Sequence, residues 1–129
     1  MLIENVEIVF KDKKHRCTAL LDTEYFHLAF MPKRVFESLF GVEWEEGAKV
    51  EVLLGAKCKA YISSYAIVDI EFRGRVLKNL HLWLIDKDID SILPQEYGKM
   101  IDRRIDIVLG STVLENYGIE ITKEQQIKC

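Results

Sequence analysis

The chain has 129 residues, close to the commonest size of one folded domain, so a single domain over residues 1–129 is expected. Apolar residues make up 49% and charged residues 30% of the chain, a balance that excludes the low hydrophobicity of disordered proteins. The net charge of −3, from 18 basic and 21 acidic residues, excludes a general electrostatic attraction to nucleic acid or to an anionic membrane surface.

The sequence shows neither a targeting signal nor a metal-binding motif. No apolar run approaches the roughly 20 residues that span a bilayer, and the first residues carry charges too early for a secretory signal. We therefore expect a cytoplasmic protein without a membrane partner. The cysteines, Cys17, Cys58 and Cys129, lack the spacing of a zinc site or a disulfide framework. Without a phosphate-binding loop or metal motif, neither a metal nor a cofactor is predicted.

The beginning of the chain predicts a β-hairpin. Apolar and polar residues alternate over residues 2–10, a polar and mostly basic run follows, and an apolar strand resumes at residues 17–21. The polar run is typical of a solvated turn, which we place near residues 12–14.

A short helix and a second hairpin follow. Apolar residues recur at helical spacing between Pro32 and Gly41, where a proline suits the first helical turn and a glycine suits the end. Two β-patterned runs then flank Gly55, whose backbone freedom suits a tight turn. They predict a hairpin over about 47–63.

The second half of the chain predicts more strands and one insertion. A strand pair is expected over 66–85 with its turn at Gly74. The polar stretch 86–104 contains a proline and a glycine and breaks the strand pattern, so it is predicted to be a loop or short helical insertion. A buried strand, a turn at Gly110, a short helix over 111–116 and a last strand complete the chain.

Two segments indicate a function. An apolar strand ends in Asp22 and Thr23, which place a carboxylate and a hydroxyl where the strand stops. Alone, this pattern is also typical of a plain turn, because Asp and Thr side chains bond to nearby backbone amides. Near the other end of the chain, the apolar run 107–109 is followed by Gly110 and a short helix.

Together these segments resemble the retropepsin-like aspartic proteases, which include retroviral proteases and small cellular or prokaryotic relatives. In that family an apolar strand leads into Asp-Thr-Gly, and a later apolar pair and glycine precede a helix. The resemblance covers nearly the whole chain. It implies a mainly β fold, a retropepsin-like closed half-barrel of the acid-protease type with one or two short helices. The hairpin at 47–63 would be the flap, and the insertion at 86–104 is longer than is usual.

The resemblance also implies an aspartic endopeptidase that acts as a homodimer on a peptide or protein substrate. Each subunit would give one catalytic carboxylate, Asp22, and the pair would share a proton. One carboxylate would act as base on a water while the other acts as acid on the scissile carbonyl. Thr23 would bond across the two-fold axis, and Gly110 would let the backbone approach the Asp22 loop.

Four residues would contact the substrate. The tip of the flap, Leu54, Gly55 and Ala56, would cover an extended peptide and pair with it. Glu24 would lie beside the same peptide.

Two residues depart from the family motif. Glu24 stands in place of the glycine after Asp-Thr, and Tyr25 stands in place of a small residue, so both add bulk where backbones meet. The sequence therefore leaves three hypotheses open: the homodimeric endopeptidase, a catalytically inactive homodimer that keeps the protease fold and binds a peptide or protein, and a structural subunit with an incidental Asp-Thr.

Overall fold

The computed structural model describes residues 1–122 and 127–128. Within these ranges the chain is mainly β, with two short α-helices, which confirms the predicted fold class. None of the helices in the described residues is long and apolar enough to cross a membrane.

The first hairpin joins β1 (Leu2–Phe10) and β2 (Lys13–Leu21) in antiparallel register. Its turn is formed by Lys11 and Asp12, both at positive φ, and so lies slightly before the predicted position near 12–14. Because the strands pair without a break up to the turn, two residues remain to reverse the chain, and such short turns favour positive φ.

The predicted helix follows directly from a strand. β3 (Ala29–Pro32) leads into α1 (Lys33–Phe40), so Pro32 is the N-cap rather than a residue of the first turn. Its backbone is extended, as expected for the last residue of a strand. The helix ends at Gly41, whose φ of 82° favours glycine. The buried side chains of α1 are Val35, Phe36 and Phe40.

Three long strands follow, namely β4 (Glu45–Gly55), β5 (Cys58–Phe72) and β6 (Arg75–Ile85). The hairpin predicted over 47–63 and the strand pair predicted after it therefore share β5. Buried and less buried residues alternate along most of this strand, and nothing within it ends the pattern. The turn between β5 and β6 contains Gly74, as predicted.

The insertion, residues 86–104, contains two short 3₁₀ turns, at Ile89–Ser91 and Tyr97–Lys99. The predicted C-terminal helix over 111–116 is confirmed. The elements after the insertion are β7 (Ile107–Leu109), α2 (Ser111–Asn116), β8 (Glu120–Ile121) and β9 (Ile127–Lys128).

In the described residues, seven strands form one sheet in the order β1-β2-β7-β3-β6-β5-β4, which closes because β1 also pairs with β5, and β8 and β9 pair separately. Six strands therefore make a barrel, and β4 lies at an edge outside it. β7 runs parallel to β2 and antiparallel to β3. This arrangement brings the ends of β2 and β7 side by side.

Alternate residues of β2, β3, β6 and β7 enter two different apolar clusters, one on each face of the sheet. The inner cluster fills the barrel. The outer cluster also includes the hairpin tip and the insertion. Its buried members are Leu20, Phe26, Phe30, Leu54, Ile62, Ile85, Ile89, Tyr97, Ile105 and Val108. Burial on both faces explains the continuous apolar runs of β2 and β7.

Candidate functional site

The site is built on the loop of residues 22–28, which we call the Asp22 loop. It begins where β2 ends beside β7, with Leu21 opposite Leu109 in the parallel register. The backbone N–H of Asp22 continues this pairing by donating to the carbonyl of Leu109 at 3.0 Å. The sheet therefore fixes where the carboxylate of Asp22 starts.

The loop folds around the carboxylate of Asp22, which is 0% exposed. Its Oδ2 accepts hydrogen bonds from the backbone N–H groups of Tyr25 at 3.0 Å and Phe26 at 2.7 Å. Its Oδ1 accepts a longer one from the N–H of Glu24 at 3.3 Å. A carboxylate that binds successive backbone amides organises the turn that carries them.

A fourth donor comes from the insertion. The phenolic O–H of Tyr97 donates to Oδ1 of Asp22 at 2.6 Å, and the tyrosine is 6% exposed. Burial, and then the hydrogen bond to Asp22, raise the pKa of Tyr97, so the phenol keeps its proton and remains a donor. A carboxylate has about four lone-pair positions, and here four donors of the same chain use them.

The tip of the β4–β5 hairpin is bound to the Asp22 loop. The carbonyl of Leu54 accepts from the N–H of His27 at 2.7 Å, and the N–H of Ala56 donates to the carbonyl of Tyr25 at 2.7 Å. A Cβ added to Gly55 would lie 2.3 Å from that carbonyl oxygen, so only glycine fits between the two segments. The predicted flap tip thus contacts its own chain.

The two residues that depart from the family motif lie on different sides of the loop. Glu24 is exposed, as is Thr23, so the glutamate adds no carboxylate to the buried site. Tyr25 is half-buried, and its ring meets Phe26 and Tyr97 edge-to-face at centroid distances of 4.8 and 6.2 Å. Tyr25 therefore packs the loop against the insertion, whereas Glu24 borders a surface groove.

The beginning of α2 holds the other side of the loop. A Cβ added to Gly110 would lie 2.4 Å from the carbonyl carbon of His27, so a larger residue would push the loop away. The N–H of Ser111 donates to the carbonyl of Phe26 at 2.9 Å, and its hydroxyl lies 3.2 Å from Nδ1 of His27. The imidazole of His27 therefore pairs with Ser111 rather than with Asp22.

The insertion packs against both the Asp22 loop and the hairpin. Ile89 and Tyr97 of the insertion, and Ile105 directly after it, are buried in the outer cluster together with Leu54 of the hairpin and Phe26 of the loop. This role was not predicted from the sequence, because the apolar residues of the insertion are scattered among polar ones. The available signal was a set of apolar residues spaced through a polar stretch, namely Ile89, Ile92, Leu93, Tyr97 and Ile101.

Metal binding gains no support from the described residues, among which no group of three or more His, Cys, Asp or Glu side chains is placed to hold an ion. The site thus holds a carboxylate whose hydrogen-bond positions are all used and which lies among apolar side chains.

Comparisons with known proteins bear on the fold. No family model matches the chain, and no curated protein matches it in sequence. A crystal structure of the retroviral protease-like domain of Ddi1 from Leishmania major is similar, with a TM-score of 0.58 over 96% of this chain and 84% of that chain. The chain has a retropepsin-like fold. At 12% sequence identity the similarity concerns the fold alone.

Proposed function

We propose that this domain is a catalytically inactive retropepsin-like module that binds a peptide or protein partner. The observation that supports this proposal best is the state of the Asp22 carboxylate, which is 0% exposed and receives four hydrogen bonds from its own chain. The acid-protease mechanism needs a water and a second carboxylate within hydrogen-bond reach of the first. Neither has room at a carboxylate whose lone pairs are already used.

The substitutions in the motif agree with this proposal. Tyr25 contributes a ring that contacts Tyr97 of the insertion and a carbonyl that accepts a hydrogen bond from Ala56 of the hairpin. A small residue would supply the carbonyl but not the ring. The ring of Tyr25 thus stabilises the packing of the Asp22 loop against the insertion.

Apolar surface on the hairpin supports a binding role. Leu53 and Tyr61 lie on adjacent strands and are 47% and 66% exposed. A partner that buried these two side chains would gain free energy, because removal of apolar surface from water drives association. The homodimer expected from the resemblance stays a prediction, and the oligomeric state is measured by light scattering.

A peptidase assay tests the proposal. The wild-type chain and the Asp22→Asn variant are incubated with an unfolded protein substrate from about pH 3 to pH 8, the range in which carboxylate pairs act. We expect no cleavage by the wild type above the level of the variant. The Glu24→Gly variant should also be inactive, because Tyr97 still covers the carboxylate.

Cleavage of the substrate would contradict the proposal. Cleavage by the wild type that disappears in Asp22→Asn, with both proteins folded, would establish the endopeptidase instead. Activity that arises only in Glu24→Gly would show that the exposed glutamate, and not the cover over Asp22, blocks catalysis.

A further inference from the structure

The insertion is held to the rest of the molecule almost entirely by side chains. In the described part of the chain, its backbone hydrogen bonds are local, such as those from Tyr97 to Pro94 and from Ile101 to Tyr97. Its polar side-chain links to the rest of the molecule include the bond from Tyr97 to Asp22 and two exposed ion pairs, Asp88 with Arg34 and Arg104 with Asp106. A segment without backbone pairing to its neighbours opens at lower cost than a strand of the barrel.

Beneath the insertion lies an apolar surface with one carboxylate at its edge. The surface consists of residues of the outer cluster that the sheet, the loop and the hairpin contribute, and each is 3% exposed or less. They include Leu20, Phe26, Phe30, Leu54, Ile62 and Val108. If the insertion moved away, this patch would be exposed together with Asp22, whose Oδ1 would lose its strongest donor.

We propose that the insertion is a displaceable internal occupant of a binding groove, and that the natural ligand is a protein segment with apolar side chains around an unmodified tyrosine. This inference rests on the proposed binding function and names the class of partner. The insertion shows what the groove accepts, since its isoleucines fill the apolar surface and the hydroxyl of Tyr97 donates to Asp22. In this account, Asp22 is a recognition residue for a tyrosine hydroxyl.

The same contact predicts which ligands are rejected. A phenylalanine has no hydroxyl, so it would leave the position of the Tyr97 hydroxyl beside Asp22 empty. A phosphotyrosine would place negative charge against the carboxylate of Asp22 in a site with little access to water, which is strongly unfavourable. Recognition should therefore depend on the free hydroxyl.

The insertion and an external ligand would compete for the same groove, and this competition determines the apparent affinity of the ligand. The apparent affinity of a ligand falls with the fraction of molecules in which the groove is open. The Tyr97→Phe variant removes the hydrogen bond that closes the groove but leaves the packing nearly unchanged. Loss of this hydrogen bond to a charged group should raise the fraction of molecules in which the groove is open. The variant should therefore bind an external peptide roughly tenfold to a hundredfold more tightly than the wild type.

The experiment uses a fluorescein-labelled peptide that copies residues 88–101 and the full chain, with binding followed by fluorescence anisotropy. Weak binding to the wild type and the expected gain in Tyr97→Phe would support the proposal. The Tyr117→Phe variant is the matched control, because it also removes a tyrosine hydrogen bond, to the carbonyl of Lys78, but packs against the inner cluster, so it should bind like the wild type. Peptides with phenylalanine or phosphotyrosine in place of the tyrosine should bind Tyr97→Phe more weakly than the tyrosine peptide does.

Several outcomes would overturn the proposal: equal binding by Tyr97→Phe and the wild type, equal binding of the phenylalanine peptide, or equal binding of a scrambled peptide. If Tyr97→Phe does not fold, amide hydrogen exchange of the wild type is measured instead. Excess peptide should then speed exchange in residues 89–101, and unchanged exchange would contradict displacement. Mass spectrometry of the same mixtures separates the two proposals, since cleaved peptide refutes the inactive module and intact, unbound peptide refutes the displaceable occupant.

Discussion

Asp22→Asn is expected to destabilise the fold, because the carboxylate organises the loop around it. The asparagine is isosteric, but its NH₂ group cannot accept hydrogen bonds. If its oxygen faces the N–H groups of Tyr25 and Phe26, its NH₂ group faces the N–H of Glu24, and that bond is lost. The remaining bonds lose the strength that the charge gives them. Together these losses are worth about 2–4 kcal/mol, or a fall of about 10 °C in melting temperature.

Urea denaturation of the wild type and the variant, followed by circular dichroism, measures this difference. The matched control is Asp86→Asn, which makes the same change at an exposed aspartate and should alter the free energy of unfolding by less than about 0.5 kcal/mol. A melting temperature of Asp22→Asn within about 2 °C of the wild type would refute the reasoning. Such a result would mean that the carboxylate does not hold the loop in place. A carboxylate that is free for catalysis would behave in this way.

Two further predictions concern the contacts around Asp22. Gly55→Ala should destabilise the protein by about 1–3 kcal/mol in the same urea titration, because its Cβ would lie 2.3 Å from the carbonyl oxygen of Tyr25. Gly98→Ala is the control and should have little effect, because no atom lies within 4 Å of its Cβ. Since the pKa of Tyr97 is raised in the folded state above its usual value of 10.0, its stabilising contribution is complete below about pH 10 and is lost as the pH rises through the higher folded pKa. The free energy of unfolding should therefore fall more steeply above about pH 10 for the wild type than for Tyr97→Phe, and equal slopes in urea titrations would argue against a buried, hydrogen-bonded phenol.

Much of the fold was predictable because its signals are local. The alternating pattern of β1, the apolar run of β2 and the apolar face of α1 are set by neighbouring residues, and α2 occupies 111–116 as predicted. Boundaries were less predictable where tertiary pairing decides them. The alternation of β5 continues past the expected end of its hairpin, because the strand leaves the tip and enters the barrel without a break.

The candidate site was predictable only in part. The order of the apolar strands around Asp22 and Gly110 suggested that the two segments lie near each other, and β2 and β7 are paired in the structure. The contact with Tyr97 lies 75 positions along the chain from Asp22 and depends on how an irregular segment packs. No periodicity marks such a segment, so pattern analysis has no means of placing it.

The two proposals follow from one physical requirement. A carboxylate without access to water must receive hydrogen bonds or a counter-charge. In the described residues the hydrogen-bond partners of Asp22 are N–H and O–H donors, and none is a cation. Three of the donors belong to its own loop and are fixed by the turn. The fourth belongs to the insertion, which no backbone pairing holds in place. The carboxylate can thus keep its loop intact while exchanging one tyrosine hydroxyl for another, which is the property that a binding site needs and that a catalytic pair of carboxylates does not have.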